Sequence, residues 1–208
     1  MDLDRKVLDA ISELRDIEDV KYSDIPDMDM YMEQLLFFLN QKLEPHKRDT
    51  NEKILTKPMI NNYTKSQVLL PPKNKKYNKE HIVLLVLVFQ LKNIFSINDI
   101  QHLFGPMLKD MSTSEDDLMP LKDIYASYLE LKNNYWDELS SHLTEIIDFI
   151  KKKTDFIEPD NNRKTAELFL LVMHLTAQAN AAKRIAEILI DMYFTDENAS
   201  DGTTLDVG

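Results

Sequence analysis

Lysine residues are concentrated in one stretch of an otherwise acidic chain. The 208 residues carry a formal net charge of -11. Residues 47–92 nevertheless contain ten basic and three acidic side chains, a local charge of +7 that leaves -18 for the rest of the chain. Ammonium groups at this density can neutralise phosphates. Such contacts supply most of the sequence-independent affinity of a protein for a nucleic acid. The alternative is a basic face that is merely solvated.

A short helix is predicted inside this stretch, over residues 57–65. Thr56 can cap it, because its hydroxyl can accept a hydrogen bond from an unpaired amide, and Pro58 fits the first turn. Asn61 and Asn62 follow on the same helix. Asparagine can pair bidentately with the edge of adenine in the major groove, which admits one helix. We expect both asparagines to contact bases; the alternative is a helix interior that tolerates two poor helix formers.

A basic, turn-like strip is predicted at residues 73–77. Pro71 and Pro72 precede it, exclude a helix and force an extended path. Five lysines of the strip and the short helix are the predicted phosphate contacts: Lys57, Lys65, Lys73, Lys75 and Lys76. Tyr63 and Tyr77 are further candidates for phosphate contact or, equally, tyrosines at the edge of a core. The alternative to phosphate contact is that the strip as a whole is merely a solvated turn.

The elements that must position these residues are predicted to be helical. Apolar residues recur at three-to-four spacing along most of the chain. The predicted helices cover residues 3–17, 28–43, 57–65, 79–93, 97–104, 123–152 and 164–194. Asn78 and Ser96 are the expected caps of the fourth and fifth helices, and Asp99 completes a capping box with Ser96. Gly105 and Pro106 are expected to end the fifth helix near residue 104.

Several sequence motifs in this region carry a resemblance to a known family. The motif M-I-N-N-Y-T-K-S-Q-V-L-L-P-P at residues 59–72, followed by K-K-Y-N-K-E-H-I at 75–82 and F-S-I-N-D-I-Q-H-L-F at 95–104, resembles the MerR-type winged helix. The segment is also similar to an uncharacterised family of bacterial proteins described as MerR-like regulators of unknown function. That similarity extends back to D-I-P-D-M-D-M-Y-M-E-Q-L at residues 24–35.

The resemblance implies a role for each segment. Residues 28–43 would be the first helix of a helix-turn-helix, 56–65 the recognition helix and 73–77 the wing. Tyr63 sits where the family places a tyrosine that contacts the nucleic-acid backbone. The chain departs from the family in having no arginine between Tyr63 and Tyr77 and no wing glycine. Because lysine lacks the planar fork of arginine, this departure argues against bidentate readout of guanine.

Together these features predict an all-α protein with a MerR-like winged helix-turn-helix module at residues 28–105. Residues 1–27 would form an N-terminal helix, 114–195 a C-terminal helical region and 196–208 a disordered tail. The C-terminal region is expected to form a homodimer, since a DNA operator with two-fold symmetry is recognised by a protein with the same symmetry. The helix over 164–194 is apolar on most sides, which requires burial in its own core or against another subunit.

A small-molecule effector pocket is a further expectation for the C-terminal region. It would lie between the two long helices, lined by four aromatic residues: Tyr125, Tyr128, Tyr135 and Trp136. The alternative, that these aromatics belong to the core, is the more frequent arrangement in proteins.

The composition argues against an enzyme, a metal site or a cofactor site. The chain has no cysteine, which excludes thiolate catalysis and cysteine-based metal sites. Its five histidines are scattered without metal-ligand spacing, and no phosphate-binding or dinucleotide-binding motif is present. The longest apolar run, residues 82–89, is far shorter than the roughly 20 residues of a membrane span, and the N-terminus has no signal-peptide pattern. We therefore expect a cytoplasmic protein without cofactors.

The expected function is that of a bacterial-type transcription regulator that binds double-stranded DNA. The main alternative is a protein-interaction module, in which the same fold docks a partner through its acidic surface. A second alternative is a small-molecule sensor whose affinity for DNA is secondary.

Overall fold

The computed structural model describes residues 3–49, 51–112 and 120–195, with side chains from residue 5 onward except those of 110–112. Within this part the chain is mostly helical, which confirms the all-α prediction at a coarse level. The helices are α1 (Leu3–Arg15), α2 (Met32–Leu43), α3 (Lys57–Lys65), α4 (Lys79–Leu91), α5 (Ile97–Ser112), α6 (Leu121–Thr154) and α7 (Asp160–Tyr193). Two short strands, β1 (Met30–Tyr31) and β2 (Lys76–Tyr77), pair antiparallel. The predicted tail and the first residues of the predicted C-terminal region lie outside the described residues.

The contacts divide the chain into two units. The three-helix unit consists of residues 3–19 and 127–183, and the central unit consists of the described residues within 20–126 and 184–195. The prediction treated residues 1–27 as a separate N-terminal element, and the structure places α1 in the three-helix unit.

The three-helix unit is held together by an apolar cluster from α1, α6 and α7. Its buried members are Ile11, Leu143, Ile147, Ile150 and Leu171. Two ion pairs attach the N-terminal segment to α6: Arg15 lies 2.7 Å from Asp137, and the Lys132 ammonium lies 2.6 Å from Asp19. The regular spacing of apolar residues on α6 thus places one continuous stripe against the other two helices.

The central unit is built around α4, whose residues from 81 to 86 are all buried. Helix α2 contributes the stripe Leu35, Leu39 and Leu43, and helix α5 contributes Ile100, Phe104 and Leu108. The Tyr125 hydroxyl at the start of α6 donates a hydrogen bond to the carbonyl of Val20 at 2.5 Å. A helix that is apolar on all sides is enclosed in this way because no face of it can be left in water.

The structure corrects the predicted start of α2. The helix was expected from residue 28, but it begins at Met32, and the two residues before it form β1. In β1, Met30 is buried opposite Tyr77, and Tyr31 is exposed opposite Lys76. This alternation is that of a strand with one buried face, and the pairing depends on β2, which lies 45 residues further along the chain.

The predicted end of α5 near residue 104 is also wrong. The helix continues to Ser112 with Pro106 inside it. Proline removes one backbone hydrogen bond from a helix interior. Phe104 and Leu108, which flank the proline, are both buried, so packing on this face maintains the helix through the interruption.

The described part of the chain contains no helix that is both long and apolar enough to cross a membrane.

Candidate nucleic-acid interface

Helix α3 has the bounds that the sequence predicts, and its cap is confirmed. The Thr56 hydroxyl accepts a hydrogen bond from the amide of Met59 at 3.4 Å, and Pro58 lies in the first turn. The helix ends where Gln67 adopts the left-handed conformation (φ 55°) and the amide of Val68 returns to the carbonyl of Tyr63 at 2.9 Å. Both ends of this short helix are therefore fixed by local hydrogen bonds.

The outer face of α3 brings together four of the predicted DNA contacts. Ile60 and Tyr63 point into the core. The exposed residues line a shallow recess of about 400 Å³, and they are Lys57, Pro58, Asn61, Asn62 and Lys65. Because residues four apart lie on the same face of a helix, two lysines and two amides form one continuous polar surface.

The predicted basic strip is a tight hairpin turn. Lys73 and Lys76 pair across it, with the Lys76 amide donating to the Lys73 carbonyl at 3.0 Å. The two residues between them, Asn74 and Lys75, both have positive φ angles, of 53° and 64°. Positive φ at both central positions is the pattern of a type I′ turn, which matches the twist of the paired strands. The turn exposes the side chains of Lys73 and Lys75.

Contacts at the start of α2 place the hairpin and α3 close to each other. The Lys76 ammonium lies over the Tyr31 ring, 5.2 Å from its centroid. The Lys57 ammonium, in the first turn of α3, lies 3.9 Å from the Glu33 carboxylate. Since Tyr31 and Glu33 are only two residues apart, the first turn of α3 and the hairpin lie at the same end of α2.

Other basic residues of the lysine-rich stretch have partners within the protein. The Lys92 ammonium donates to the carbonyls of Ile54 at 3.0 Å and Lys53 at 3.3 Å, and burial lowers its pKa. Lys47 lies 2.9 Å from the carboxylate of Glu44. These lysines support the fold, so the local charge of +7 overstates the charge that is available to a ligand.

Two exposed carboxylates pair with lysines of the lysine-rich stretch, and sequence reasoning did not identify them. Glu33 faces Lys57, and Asp27 lies 2.6 Å from the Lys79 ammonium. The acidic segment before α2 is visible in the sequence, but its pairing with lysines 24 and 52 residues further on follows only from the fold. Each carboxylate reduces the positive potential near the lysines that it faces.

Tyr63 and Tyr77, both predicted as DNA contacts, belong to the core. Their side chains are 8% and 4% exposed, and burial raises the pKa of each hydroxyl. Tyr63 faces inward because it follows Ile60 by three positions on a nine-residue helix. Tyr77 alternates with Lys76 across β2, so its side chain takes the inner face of the strand. We therefore leave both tyrosines out of the interface.

A buried histidine joins the hairpin to α4. The Asn78 side chain accepts a hydrogen bond from the His81 amide at 3.1 Å, and the Asn78 amide donates to Nδ1 of His81 at 3.3 Å, which confirms the predicted cap. The His81 ring packs edge-on against Tyr77, with centroids 5.5 Å apart. Its burial lowers the pKa of the imidazole, and interactions with the Leu70 backbone, Glu80, the Pro71 backbone and Asp29 only partly oppose that effect.

The four aromatics expected to line an effector pocket have different environments. Tyr125 is buried in the central unit, and Tyr135 is exposed on α6. Tyr128 is partly buried in the three-helix unit, and its pKa is raised by burial and by Asp19. Of the four, Trp136 alone lines the large cavity in the described part of the three-helix unit.

Comparisons with known proteins yield one family match. A family model described as "Domain of unknown function (DUF1836)" matches residues 20–128, which include α2, α3, the hairpin, α4 and α5. Neither the curated proteins nor the solved structures contain a match. The matched range therefore coincides closely with the central unit and contains every residue of the candidate interface.

The buried histidine generates a prediction for the pH dependence of folding. The folded state favours the neutral ring, whereas the unfolded chain takes up a proton near the ordinary pKa of about 6.5. The contribution of His81 to stability is therefore complete above that pH and is lost as the pH falls through the lower pKa of the folded state.

Urea unfolding at pH 7.5 and at pH 5.5 would measure this effect. We expect His81→Gln to show a smaller loss of unfolding free energy on acidification than the unmodified protein. The half-exposed His102, changed to Gln, is the control and should keep the original pH dependence. An unchanged pH dependence in His81→Gln would contradict the assignment.

Proposed function

Since the chain belongs to the family of the domain of unknown function DUF1836, we propose a function from its own geometry: the central unit binds double-stranded DNA, and the protein is a bacterial-type transcription regulator. In this proposal the fold is a MerR-like winged helix-turn-helix. Helix α2 is its first helix, α3 its recognition helix and the hairpin at residues 73–76 its wing.

One observation carries the proposal: residues 31–33 contact both Lys57 and Lys76. A short helix and a basic hairpin, separated by seven residues in the sequence, thereby lie at the same end of α2. The exposed face of α3 presents Asn61 and Asn62, whose amides match the donor and acceptor pattern of adenine in the major groove. The lysines around them match the phosphates on either side of a groove.

The lysines define the electrostatic part of the proposed binding. Lys57, Lys65, Lys73 and Lys75 are exposed, and Lys76 is half-buried over the Tyr31 ring. Each phosphate contact releases condensed counterions, and the logarithm of the binding constant falls by about 0.9 per contact for each tenfold rise in salt. Five such contacts give a slope of roughly -4.5, which is steep enough to distinguish phosphate binding from ordinary protein docking.

Helix α7 supports the proposal that the regulator is a homodimer. Residues 168–182 contain no charged side chain. Within this segment Phe169, Val172 and Met173 remain at least half exposed, although the opposite face of the helix packs Leu171 into the core. If the same face of a second copy packed against it, these side chains would be removed from water. Such an interface needs no pairs of opposite charges, which suits a chain of net charge -11.

The rival function is docking of a protein partner through the acidic surface. Glu33 gives this reading a specific observation, because its exposed carboxylate lies beside Lys57 of the candidate interface, and Asp27, beside Lys79, is a further exposed carboxylate. A partner recognised in this way would be basic. Its binding would not require the lysines of the hairpin.

The hairpin lysines provide the main test. The triple variant changes Lys73, Lys75 and Lys76 to alanine. We expect its affinity for a DNA duplex taken from upstream of the protein's own gene to fall at least tenfold. The slope of log binding constant against log salt concentration should decrease in magnitude by about three. Fluorescence anisotropy at two salt concentrations, with a random duplex for comparison, measures both quantities. The control changes Lys151, Lys152 and Lys153 to alanine, which removes the same charge from the three-helix unit.

Two outcomes of this experiment would decide against the regulator. If the unmodified protein binds neither duplex at low salt, docking of a protein partner becomes the preferred function. If both triple variants bind equally well, the contacts do not lie at the hairpin. Circular dichroism of each variant shows whether the change has altered the fold.

Removing the charge of Glu33 should strengthen binding to DNA. Its carboxylate lies 3.9 Å from the Lys57 ammonium and repels phosphate at the same surface. We expect Glu33→Gln to bind duplex about threefold more tightly at low salt, with the difference shrinking as salt increases. Glu130→Gln, at an exposed position of α6, is the matched control. Weaker binding of Glu33→Gln to a basic protein partner, with no binding to DNA by either protein, would instead favour the rival function.

The dimer face is tested by placing a charge in it. Val172→Glu should convert a dimer into a monomer at micromolar concentrations, because the new carboxylate would be buried without a partner. Sedimentation equilibrium measures the mass directly. Leu131→Glu, which changes an even more exposed residue of α6, is the control and should leave the mass unchanged. A monomeric unmodified protein at these concentrations would refute the proposed dimer.

A further inference from the structure

The three-helix unit contains a cavity of about 800 Å³. Its apolar wall includes Ala10 and Ile11 of α1, Trp136 and Leu143 of α6 and Leu171 of α7. Cavities of this size enclose small organic molecules in other proteins, and they combine apolar walls with a few polar groups that fix orientation. The nature of the polar groups therefore indicates the class of ligand.

A buried carboxylate lines this cavity. The Glu167 side chain, on α7, is only 6% exposed. The Thr154 hydroxyl donates a hydrogen bond to its Oε1 at 3.2 Å. Among the described residues, no ammonium or guanidinium group forms an ion pair with Glu167 within 4 Å. Burial of an ionised carboxylate is costly unless a cation or further hydrogen bonds compensate it.

Of the four basic residues that line the cavity, three interact with a neighbouring group. The Lys164 ammonium lies 2.6 Å from Asp160, and the Arg163 guanidinium lies 3.7 Å from Asp155. Lys151 also interacts with a neighbour, and Lys6 is exposed on α1. The Lys164 charge also interacts with Glu167. Among the described residues, however, Glu167 is the charged group of the cavity wall that is buried and forms no ion pair within 4 Å.

We propose that the cavity binds an organic amine in its ammonium form. The ammonium group pairs with the free oxygen of Glu167, and the apolar part of the molecule packs against Ile11, Leu143 and Leu171. The indole of Trp136 adds an aromatic wall, whose face attracts cations. Removal of the apolar part from water supplies the remaining affinity. This site lies entirely within the three-helix unit and is separate from the proposed DNA contacts.

Trp136 makes the proposal directly measurable, because it is the single tryptophan of the chain. Three probes have nearly equal shape but polar end groups of different charge: 4-phenylbutylammonium, 4-phenylbutanol and 4-phenylbutyrate. Each is titrated into the full-length protein at pH 7 while the intrinsic fluorescence is recorded. We expect the ammonium to bind about tenfold more tightly than the alcohol, and the carboxylate to bind most weakly.

Glu167→Gln tests the role of the carboxylate. Glutamine keeps an oxygen that can accept the Thr154 hydrogen bond, so the variant should bind the ammonium and the alcohol with equal affinity. Glu145→Gln, at an exposed position of α6, is the control and should retain the tenfold preference. If Glu167→Gln does not fold, Ala10→Phe provides an independent test, because the larger side chain fills the cavity and should weaken all three probes.

Several results would overturn the inference. Equal binding of the three probes, or preference for the carboxylate, would show that Glu167 does not select the ligand. Retention of the ammonium preference in Glu167→Gln would have the same meaning. Absence of binding by every probe would show that the cavity is not a site for this class of molecule. None of these measurements involves DNA, so their outcome does not depend on the proposed regulator function.

Discussion

Helix α4 has an almost unbroken apolar sequence, and water has to be excluded from all of its sides. Six consecutive residues, from 81 to 86, are buried, and the other elements of the central unit depend on this enclosure. Helix α2 and strand β2 both contact α4, and they supply the leucine stripe and the buried Tyr77. Because each surrounding element turns its apolar side inward, its polar side is left on the surface.

The candidate interface is a consequence of that arrangement. On α3, burial of Ile60 and Tyr63 leaves the lysines and asparagines outside, and on β2 burial of Tyr77 leaves Lys76 on the outer face. The pairing of β1 with β2 then holds the hairpin beside the start of α2. The charge at this surface is reduced by Glu33, whose carboxylate faces Lys57. Binding of phosphate would therefore depend on the few lysines that have no acidic neighbour.

The three-helix unit shows how differently two apolar faces of one helix can be used. On one side of α7, Leu171 packs against α1 and α6, and the same side carries Glu167 beside the cavity. On the other side, Phe169, Val172 and Met173 are exposed. An apolar surface of this kind is usually covered by another molecule, while a cavity with a buried carboxylate suits a small cation. The two sides of α7 therefore suit contacts with different kinds of molecule.

The sequence by itself determined the features that depend on near neighbours in the chain. The cap at Thr56, the bounds of α3, the caps at Asn78 and Ser96 and the basic turn all follow from hydrogen bonds and backbone preferences within a few residues. The mostly helical class followed from the spacing of apolar residues, for the same reason.

Only the tertiary structure decided the features that depend on distant residues. Strand β1 forms because β2 is available to pair with it, and α5 continues past Pro106 because Phe104 and Leu108 are buried on both sides of it. The inward orientation of Tyr63 and Tyr77 and the burial of Glu167 depend on packing partners far away in the sequence. A local pattern shows what a side chain can do, whereas its burial and its charged neighbours depend on how the whole chain folds.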